Sequence, residues 1–130
     1  MNKTISVQTR GRDDFCDLSR EAQQAVSESG LAEGVLTVYV PHTTAGVTIQ
    51  ENADPPLKQD LTAALDRLFP WPGPYRHGED NAAAHMKSML TGPSVQVPFV
   101  EGELQLGTWQ SIFLCEFDGP RRRRVILQVS

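Results

Sequence analysis

Hydrophobic residues alternate with polar ones at the start of the chain and then recur at helical spacing. Ile5 and Val7 share one face of a short alternating segment, which predicts a strand. Asp13 or Asp14 then offers a cap for a predicted helix that ends at Gly30. The apolar face of this helix comprises Phe15, Leu18, Ala22, Ala25 and Val26.

The next segment, Gly34 to Pro41, is rich in β-branched and aromatic residues and is apolar on both faces. This pattern is typical of a central strand that is covered on both sides. A polar stretch from His42 to Gly46 follows it, and Val47 and Ile49 then predict another short strand.

Two further helices are predicted in the middle of the chain. Asp54 precedes two prolines, and proline at the first helical position loses no hydrogen bond. The apolar face of this second helix comprises Leu57, Leu61, Ala64, Leu65 and Leu68. Residues 70–76 include three prolines and a glycine, which excludes regular structure. Asp80 or Asn81 then caps a third helix that closes at Gly92. Its predicted apolar face comprises Ala82, Met86, Met89 and Leu90.

The C-terminal part of the chain predicts a β-meander. Its apolar strand positions are Val95, Val97, Phe99, Leu104, Leu106 and the segments 111–117 and 125–129. Glu101-Gly102 and Asp118-Gly119-Pro120 supply turns between them. Because strands occur throughout while helices do not reach the C-terminus, we expect one α+β domain over residues 1–130, with about three helices and a mostly antiparallel sheet.

Composition and charge narrow the possible functions. The chain is 39% hydrophobic and 22% charged, as is usual for soluble globular proteins. A net charge of −4 makes nucleic acid an unexpected partner. The longest apolar stretch, Val35 to Val40, is too short to cross a membrane, and no signal peptide is evident, so we expect a cytoplasmic protein. Cys16 and Cys115 fit no disulfide scaffold or metal motif and are interpreted as small apolar residues.

All three histidines lie in polar segments at predicted element boundaries. Asn81 and His85 are four residues apart and share a helical face, and the preceding loop can bring His77 towards them. These side chains could converge on a metal or a phosphate. A capped helix with a partly buried His85 explains the same spacing equally simply. In addition, the separation of the two histidines does not match a standard zinc motif.

Small and hydroxyl-bearing residues near the histidines leave two interpretations open. Three alanines before His85 leave room beside a helix N-terminus, which favours anions, but close packing of the helix on a sheet explains them equally well. Thr43, Thr44 and Gly46 could likewise offer hydroxyls and N–H groups to a phosphate, or form an ordinary turn.

Acidic residues near predicted strand ends are further candidates. Asp54 has the role of a helix cap, whereas Glu51 has no such role and is a candidate ligand or general base. Glu116 lies in a strongly apolar strand, so it either faces solvent or belongs to a site. Two arginines of the run 121–124 could pair with Glu116 or Asp118, or bind a phosphate.

Four motifs resemble those of the YjbQ-like family of small proteins. They are His42 to Pro55, His77 to Asn81 with His85 and Lys87, Leu106 to Gln110, and Glu116 to Arg121. They follow in the family's order over residues 42–121, and the chain length is similar to that of the family. Gln50, where the family more often has asparagine, is a minor departure.

The resemblance implies sandwich-like sheet layers, assembly as a homotrimer, and a polar site that holds a metal or an anion. It also implies a secondary thiamine-phosphate synthase activity, which joins a pyrimidine diphosphate to a thiazole phosphate and releases pyrophosphate. The expected partners are therefore further copies of the chain and a small phosphorylated molecule. The mixed His, carboxylate and amide donors leave the metal open between a zinc-like ion and Mg²⁺.

The resemblance also assigns expected roles to individual residues. The expected catalytic residues are His77, His85, Glu51, Asp80, Asn81 and Glu116. The expected phosphate-binding residues are Thr43, Thr44, Lys87, Gln110 and Arg121, and the expected metal ligands are His42, His77 and His85. Asn52 and Asp118 are expected nearby.

Three functions remain open at this point. We favour an enzyme that acts on small phosphorylated metabolites, because such an array of His, Glu, Asp, Asn and Arg exceeds what folding needs. A non-enzymatic module that binds a metal or metabolite at the same residues is the alternative, and a purely structural oligomer is the third. No strong nucleophile lies beside a base in the sequence, so covalent catalysis is not expected.

Overall fold

Two antiparallel sheets and three helices make up the protein, and the computed structural model describes all 130 residues. In chain order the elements are β1 (Asn2–Gln8), β2 (Asp14–Asp17), α1 (Ser19–Ser29), β3 (Gly34–Tyr39), β4 (Ala45–Glu51), α2 (Pro55–Leu68), α3 (Ala82–Thr91), β5 (Ser94–Val100), β6 (Glu103–Leu104), β7 (Gln110–Glu116) and β8 (Arg122–Val129). The larger sheet has the strand order β1-β8-β3-β5-β6 and the smaller one β2-β7-β4. The predicted α+β class and the three helices are confirmed.

The main core lies between the two sheets and α1. It is a single cluster of 16 buried apolar residues that includes Leu36 of β3, Leu127 of β8 and Leu114 of β7. Helix α1 contributes Ala22, Ala25 and Val26, as its spacing predicts, and Gly30 ends it in the left-handed conformation with φ 71°. The core therefore fixes both sheets against one helix and leaves α2 and α3 on the far side of the smaller sheet.

Strand β3 occupies the centre of its sheet, as predicted, but only one of its faces is covered. Leu36 and Val38 are fully buried on the inner face. Val35 and Tyr39 on the outer face are 37% and 45% exposed. The prediction of cover on both sides is wrong for this chain, because both α1 and the smaller sheet pack against the same side.

The segment before α1 forms a strand rather than the start of a helix. Asp14 to Asp17 pair with β7, with Phe15 opposite Cys115, and α1 begins only at Ser19. The predicted cap at Asp13 or Asp14 is therefore wrong. Phe15 and Leu18 have helical spacing in the sequence, but the ladder with β7 satisfies this backbone instead, and an oxygen of Asp17 accepts the Ser19 N–H at 2.8 Å.

Helix α2 starts as predicted, with Asp54 at the cap position and Pro55 in the first turn. The Asp54 side chain makes no capping hydrogen bond; instead Glu51 Oε2 accepts the Asp54 N–H at 3.1 Å. No α2 residue is fully buried, and Leu68 on the predicted apolar face is 65% exposed. This helix covers the smaller sheet only partly.

Helix α3 presents a different face to the protein from the one predicted. Met86, Met89 and Leu90 are exposed, Met89 by 87%. The buried residues are Ala82, Ala83, Ala84, Lys87 and Ser88. The small side chains allow the helix to approach the sheet closely, and this favours the packing interpretation of the alanines over an anion site.

A glycine in β4 brings the C-terminal end of α3 onto the smaller sheet. A Cβ on Gly46 would lie 2.2 Å from Thr91 Oγ1 and 2.7 Å from the Gly92 carbonyl oxygen. The Val47 N–H donates to that same carbonyl at 3.1 Å. Gly46 lies within β4, opposite Cys115, and serves helix packing, so neither the turn interpretation nor the phosphate interpretation holds at this position.

The predicted strands after α3 exist, but they do not form a meander. The β5–β6 hairpin turns at Glu101 and Gly102, which have φ angles of 53° and 74°. The chain then crosses to the smaller sheet for β7 and returns to the larger one, where β8 lies between β1 and β3. No helix of the structure has the length and apolar character needed to cross a membrane.

Replacing Gly46 with alanine is expected to lower the free energy of unfolding by about 1–3 kcal/mol, because the new methyl group overlaps the end of α3. Gly78→Ala is the matched control, because its added Cβ meets nothing within 4 Å, and it should cost less than about 0.5 kcal/mol. Urea unfolding followed by circular dichroism measures both. Equal costs for the two variants would contradict the packing role of Gly46.

Candidate functional site

A buried ion pair between Glu116 and Arg123 joins the end of β7 to β8. Glu116 is 0% exposed and Arg123 is 4% exposed. Arg123 Nε donates to Glu116 Oε1 at 2.8 Å, and Arg123 Nη2 donates to Oε2. Thr9 Oγ1 and the Asp118 N–H supply further donors at 2.8 and 3.1 Å. The predicted catalytic Glu116 therefore neither faces solvent nor offers a free oxygen to a substrate, and the predicted arginine pairing explains its burial.

The same arginine holds the loop that follows β3. Arg123 Nη2 donates to the Thr44 hydroxyl at 2.8 Å and to the Thr44 carbonyl oxygen at 3.2 Å. Thr44 is consequently buried, and its oxygen faces the guanidinium rather than a ligand. This arrangement removes Thr44 from the predicted phosphate-binding residues, whereas the neighbouring Thr43 is exposed and available.

His42 is fixed by the backbone of the strand that carries Arg123. Its Nε2 accepts the Arg124 N–H at 3.0 Å. Burial, followed by the positive charges of Arg123 and Arg124, lowers the pKa of His42 below its ordinary value of 6.5. The ring is therefore neutral at physiological pH and carries its proton on Nδ1, where it serves as a hydrogen-bond donor.

His77 and His85 face each other at the N-terminal half of α3. Their ring centroids are 4.9 Å apart, with an angle of 74° between the ring planes. The His77 side chain is 42% exposed and its Nε2 lies 4.0 Å from Glu79 Oε2. The loop before α3 thus folds back as the sequence predicts and brings the two predicted catalytic histidines together.

His42 and His85 also line one cavity of about 300 Å³, which we call the histidine cleft. Its other lining residues include Thr43, Ser88, Met89 and Pro93. The Ser88 residue is 8% exposed, and its hydroxyl oxygen is buried without a hydrogen-bond partner. Such groups are uncommon in folded proteins, and this one belongs to a residue on the wall of the histidine cleft. Imidazole and hydroxyl donors around one cavity suit an anion.

The histidines do not form a ready metal site. No group of three or more His, Cys, Asp or Glu side chains in the chain is placed to hold a metal ion. The lone pair of His42 Nε2 is already occupied by the Arg124 N–H, and its other nitrogen carries the proton. His77 and His85 alone are two donors, fewer than the protein ligands of a usual zinc site. The donors of this chain do not fit the metal set of His42, His77 and His85 that the resemblance implies.

A short network of hydrogen bonds connects the start of α3 to the turn after β7. Asn81 Nδ2 donates to Asp118 Oδ2 at 2.9 Å, and Arg121 Nη2 donates to the same oxygen at 3.1 Å. Asn81 Oδ1 is buried without a partner. The Arg121 side chain is 53% exposed and so remains accessible to an anion. Asp80, which directly precedes Asn81 in the sequence, is exposed, and its backbone adopts the left-handed conformation with φ 58°.

Glu51, Asn52 and Gln110 lie at the opposite end of the smaller sheet. Glu51 pairs with Gln110, whereas Ala45 pairs with Glu116 six residues away along β4, which corresponds to about 20 Å. Each of the three has a local partner: the Asp54 N–H, the Ser111 hydroxyl and the Gly107 N–H, respectively. The structure therefore does not bring these predicted site residues to the histidines within one chain.

Lys87 lies beneath the surface and not in the histidine cleft. Its Nζ donates to Asp13 Oδ2 at 3.0 Å and to Asp66 Oδ1 at 2.6 Å, and its side chain is 0% exposed. Burial raises the pKa of Asp66, but hydrogen bonds and charges from Lys87 and Arg12 outweigh this and hold it below its ordinary value. Lys87 links α3 to α2, so its predicted role in phosphate binding is not supported by its position.

Three residues at these cavities were not predicted from the sequence. Ser88 lines the histidine cleft, and Trp71 and Tyr75 line a second cavity beside His77. Ser88 stands three residues after His85, a spacing that places both on one side of a helix and could have identified it. No comparable signal identifies Trp71 and Tyr75, because they lie in an irregular proline-rich loop.

The fold and the cleft define a small α+β protein with a polar cleft at the junction of two sheets and α3. A family model described as UPF0047 protein YjbQ-like matches residues 3–130. The chain is 46% identical to UPF0047 protein YugU of Bacillus subtilis over 130 residues, which are 99% of this chain and 98% of that protein. It is 32% identical to UPF0047 protein YjbQ of Escherichia coli O157:H7 over 132 residues, covering 97% and 96%.

A solved structure agrees with these sequence relationships. The crystal structure of an uncharacterized conserved YjbQ/UPF0047-family protein from Clostridium acetobutylicum matches with a TM-score of 0.97 and 45% identity, over 98% of this chain and 99% of that one. The chain belongs to the YjbQ-like UPF0047 family.

Arg123→Met is expected to lower the free energy of unfolding by about 3–5 kcal/mol, because it leaves the Glu116 carboxylate buried without its cation. Adding Glu116→Gln should recover part of this loss, since the amide needs no counter-charge. Arg121→Met, which removes a largely exposed pair with Asp118, should cost less than about 1 kcal/mol. Denaturant unfolding measures all three, and similar losses for the two arginine variants would rule out a special role for the buried pair.

His42 should titrate below 6.5 in a histidine NMR titration. Because the native state favours the neutral ring, its contribution to stability is present above pH 6.5 and is lost as the pH falls from there through the native pKa. Arg124→Gln should move the midpoint upwards, since it removes one of the two charges that lower it. Arg122→Gln is the control and should leave the midpoint in place, because Arg122 reaches Ser6 on β1 instead. A midpoint unchanged by Arg124→Gln would contradict the electrostatic cause.

Proposed function

We propose that the histidine cleft binds the phosphate of a small phosphorylated metabolite and that the protein is a transferase of the thiamine-phosphate synthase type. The observation that carries this proposal is the buried, unpartnered Ser88 hydroxyl beside His42 and His85. A bound phosphate oxygen would satisfy that hydroxyl and accept from the Nδ1–H of His42. Membership of the YjbQ-like family supports the assignment, and His42, Thr43 and His85 of its motifs line the cleft.

In the proposed reaction the carbon–oxygen bond to the diphosphate breaks, and its electron pair leaves with pyrophosphate. The nitrogen of the thiazole phosphate forms the new bond to the same carbon. The main demand on the protein is therefore to stabilise negative charge on the departing diphosphate. Thr43, Ser88 and His85 line the cleft and would donate to it, and the exposed Arg121 guanidinium adds a positive charge near the start of α3.

The alternative is a non-enzymatic module that binds a phosphorylated metabolite in the same cleft. Burial raises the pKa of both Cys16 and Cys115 to about 12, which removes covalent catalysis by a thiol from either candidate. Neither thiol is therefore a nucleophile at physiological pH. Binding without turnover needs only the donors of the cleft.

We also propose that the chain assembles as a homotrimer, as the family resemblance implies. Met86, Met89 and Leu90 support self-association, because they form an exposed apolar face on α3 next to the histidine cleft. Burying such a face against another copy would remove apolar surface from water.

His85→Ala should abolish formation of thiamine phosphate from the pyrimidine diphosphate and the thiazole phosphate, with an unchanged circular dichroism spectrum. Ser88→Ala should weaken pyrophosphate binding, measured by calorimetry, by about three- to ten-fold, as expected for one neutral hydrogen bond. Ser94→Ala, on an exposed position of β5, is the control and should behave as wild type.

The outcomes separate the candidate functions. Saturable pyrophosphate binding without turnover would favour the binding module over the enzyme. Wild-type affinity in both His85→Ala and Ser88→Ala would contradict the assignment of the cleft. Elemental analysis of the same untagged preparations tests for a divalent metal, and a zinc-like ion or Mg²⁺ lost in His85→Ala would show that further ligands complete a site in the assembled protein.

A further inference from the structure

The end of the smaller sheet that lies far from the histidine cleft carries an exposed aromatic and amide surface. Trp109 is 63% exposed there, and its carbonyl oxygen accepts the Asn52 N–H at 2.9 Å. Glu51 and Gln110 are directly opposite each other in the β4–β7 ladder. We call Glu51, Asn52, Trp109 and Gln110 the tryptophan patch. A tryptophan exposed to this degree is typical of a protein interface, where this residue is enriched.

Gln110 is oriented within the tryptophan patch by one hydrogen bond. Its Oε1 accepts the Gly107 N–H at 2.8 Å, which holds the amide from one end. Its Nε2 makes no hydrogen bond within the chain, and the residue is exposed. The two N–H groups on Nε2 are therefore free to donate to a group outside the chain. Donors of this kind suit an anion, because hydrogen bonds to charged acceptors are the stronger ones.

The mouth of the histidine cleft has an apolar surface that matches the tryptophan patch. Met89 lines the cleft and is 87% exposed, and Met86 and Leu90 continue the apolar face of α3 beside it. Methionine side chains adapt to an aromatic surface, and burying both apolar surfaces together removes them from water. The cleft itself is lined by imidazole and hydroxyl groups but by no side-chain amide, which the tryptophan patch has.

The charges at the two ends of the smaller sheet are also complementary. Arg122 and Arg124 are exposed on the strand whose backbone holds His42, and neither forms a salt bridge within the chain. Glu51 and Asp54 at the other end likewise form no salt bridge. Contact between two cleft mouths would bring arginines together, whereas contact between a mouth and a tryptophan patch brings arginines to carboxylates. Contact between unlike faces is therefore favoured over contact between like faces.

We infer that copies of the chain associate head to tail, with the tryptophan patch of one copy covering the histidine cleft of the next. This assembly rests on the proposed function, because it takes the chain to self-associate and the cleft to bind phosphate. Each phosphate site is then shared, and Gln110 of the neighbouring copy donates to the bound anion. A contact between two different faces closes into a ring when its rotation allows, and every copy in the ring uses both faces.

Mixing two interface variants tests the head-to-tail contact. Met89→Asp and Trp109→Asp each place a charge in every interface, so each variant alone should sediment as a monomer of 14.4 kDa. An equimolar mixture should form a dimer, because the intact cleft of a Trp109→Asp chain still meets the intact patch of a Met89→Asp chain. Leu68→Asp, at a similarly exposed apolar position of α2, is the control and should keep the mass of the wild-type assembly.

The same sedimentation measurements show which results would overturn the head-to-tail contact. A contact between like faces would leave the mixture monomeric, because every interface would keep a substituted residue or be absent. A monomeric wild type, or an assembly that survives either aspartate substitution, would also overturn it. Circular dichroism checks that both variants are folded, as expected for substitutions at exposed residues.

Gln110→Glu tests whether the amide of one copy reaches the phosphate of the next. The new side chain can still accept the Gly107 N–H, but a carboxylate replaces the two free donors. Pyrophosphate binding, measured by calorimetry, should weaken by about ten-fold or more, because the neighbour now presents an anion to an anion. Gln96→Glu makes the same charge change on exposed β5 and should bind as wild type. Wild-type affinity in Gln110→Glu would overturn the shared site.

Failure of the shared site can be distinguished from failure of the phosphate site. If the mixture dimerises but wild type binds no pyrophosphate, the proposed function fails and the head-to-tail contact stands. If wild type binds pyrophosphate as a monomer and Gln110→Glu keeps that affinity, the shared site is overturned and the cleft stands. If both proposals hold, the mixed dimer regains wild-type affinity at one site for every two chains, because only one of its clefts is covered.

Discussion

The buried pair of Glu116 and Arg123 is the interaction on which the candidate site depends. It joins a strand of each sheet at the point where the two sheets approach, and it also engages Thr9 and Thr44. Removing two charges from water is expensive unless every donor and acceptor finds a partner, and here the carboxylate accepts four hydrogen bonds from three residues. The next residue along β8 then donates its backbone N–H to His42, so the orientation of that ring follows from the ion pair.

Helix α3 supplies the other half of the site. One of its sides packs on the smaller sheet, a second carries His85, and a third is apolar and exposed. Gly46 allows its C-terminal end to touch β4, and the small side chains of Ala84 and Ser88 follow onto the smaller sheet. His85 therefore faces His42 across the cleft. Met86, Met89 and Leu90, which a helical pattern would place inside, lie on the outer side of α3. The side of α3 that faces the rest of the protein instead carries Lys87, which is paired with two carboxylates.

Much of the fold could be predicted from the sequence, because β-branched alternation and proline or glycine punctuation are local signals. The α+β class, the start of α2 at Pro55 and the end of α1 at Gly30 follow from such signals. The strand at Asp14 to Asp17 could not be recognised, since only its ladder with β7 distinguishes it from a helix turn. The approach of His77 to His85 was predictable from spacing, whereas the burial of Lys87 depends on aspartates distant in sequence, and the separation of Glu51 from the histidines depends on strand register.

The weak anchoring of α2 has a consequence for the motions of the protein. Because this helix has no fully buried residue, detaching it exposes little apolar surface and needs less free energy than opening the sheets. Its contacts with the rest of the protein include the Asp66 carboxylate on Lys87 and the Lys58 ammonium 4.7 Å from the Phe113 ring centroid. Amide hydrogens of α2 should accordingly exchange with solvent through a sub-global opening that leaves both sheets closed. Lys87 would retain Asp13 in that open form, so the helix can detach without leaving the buried ammonium group unpaired.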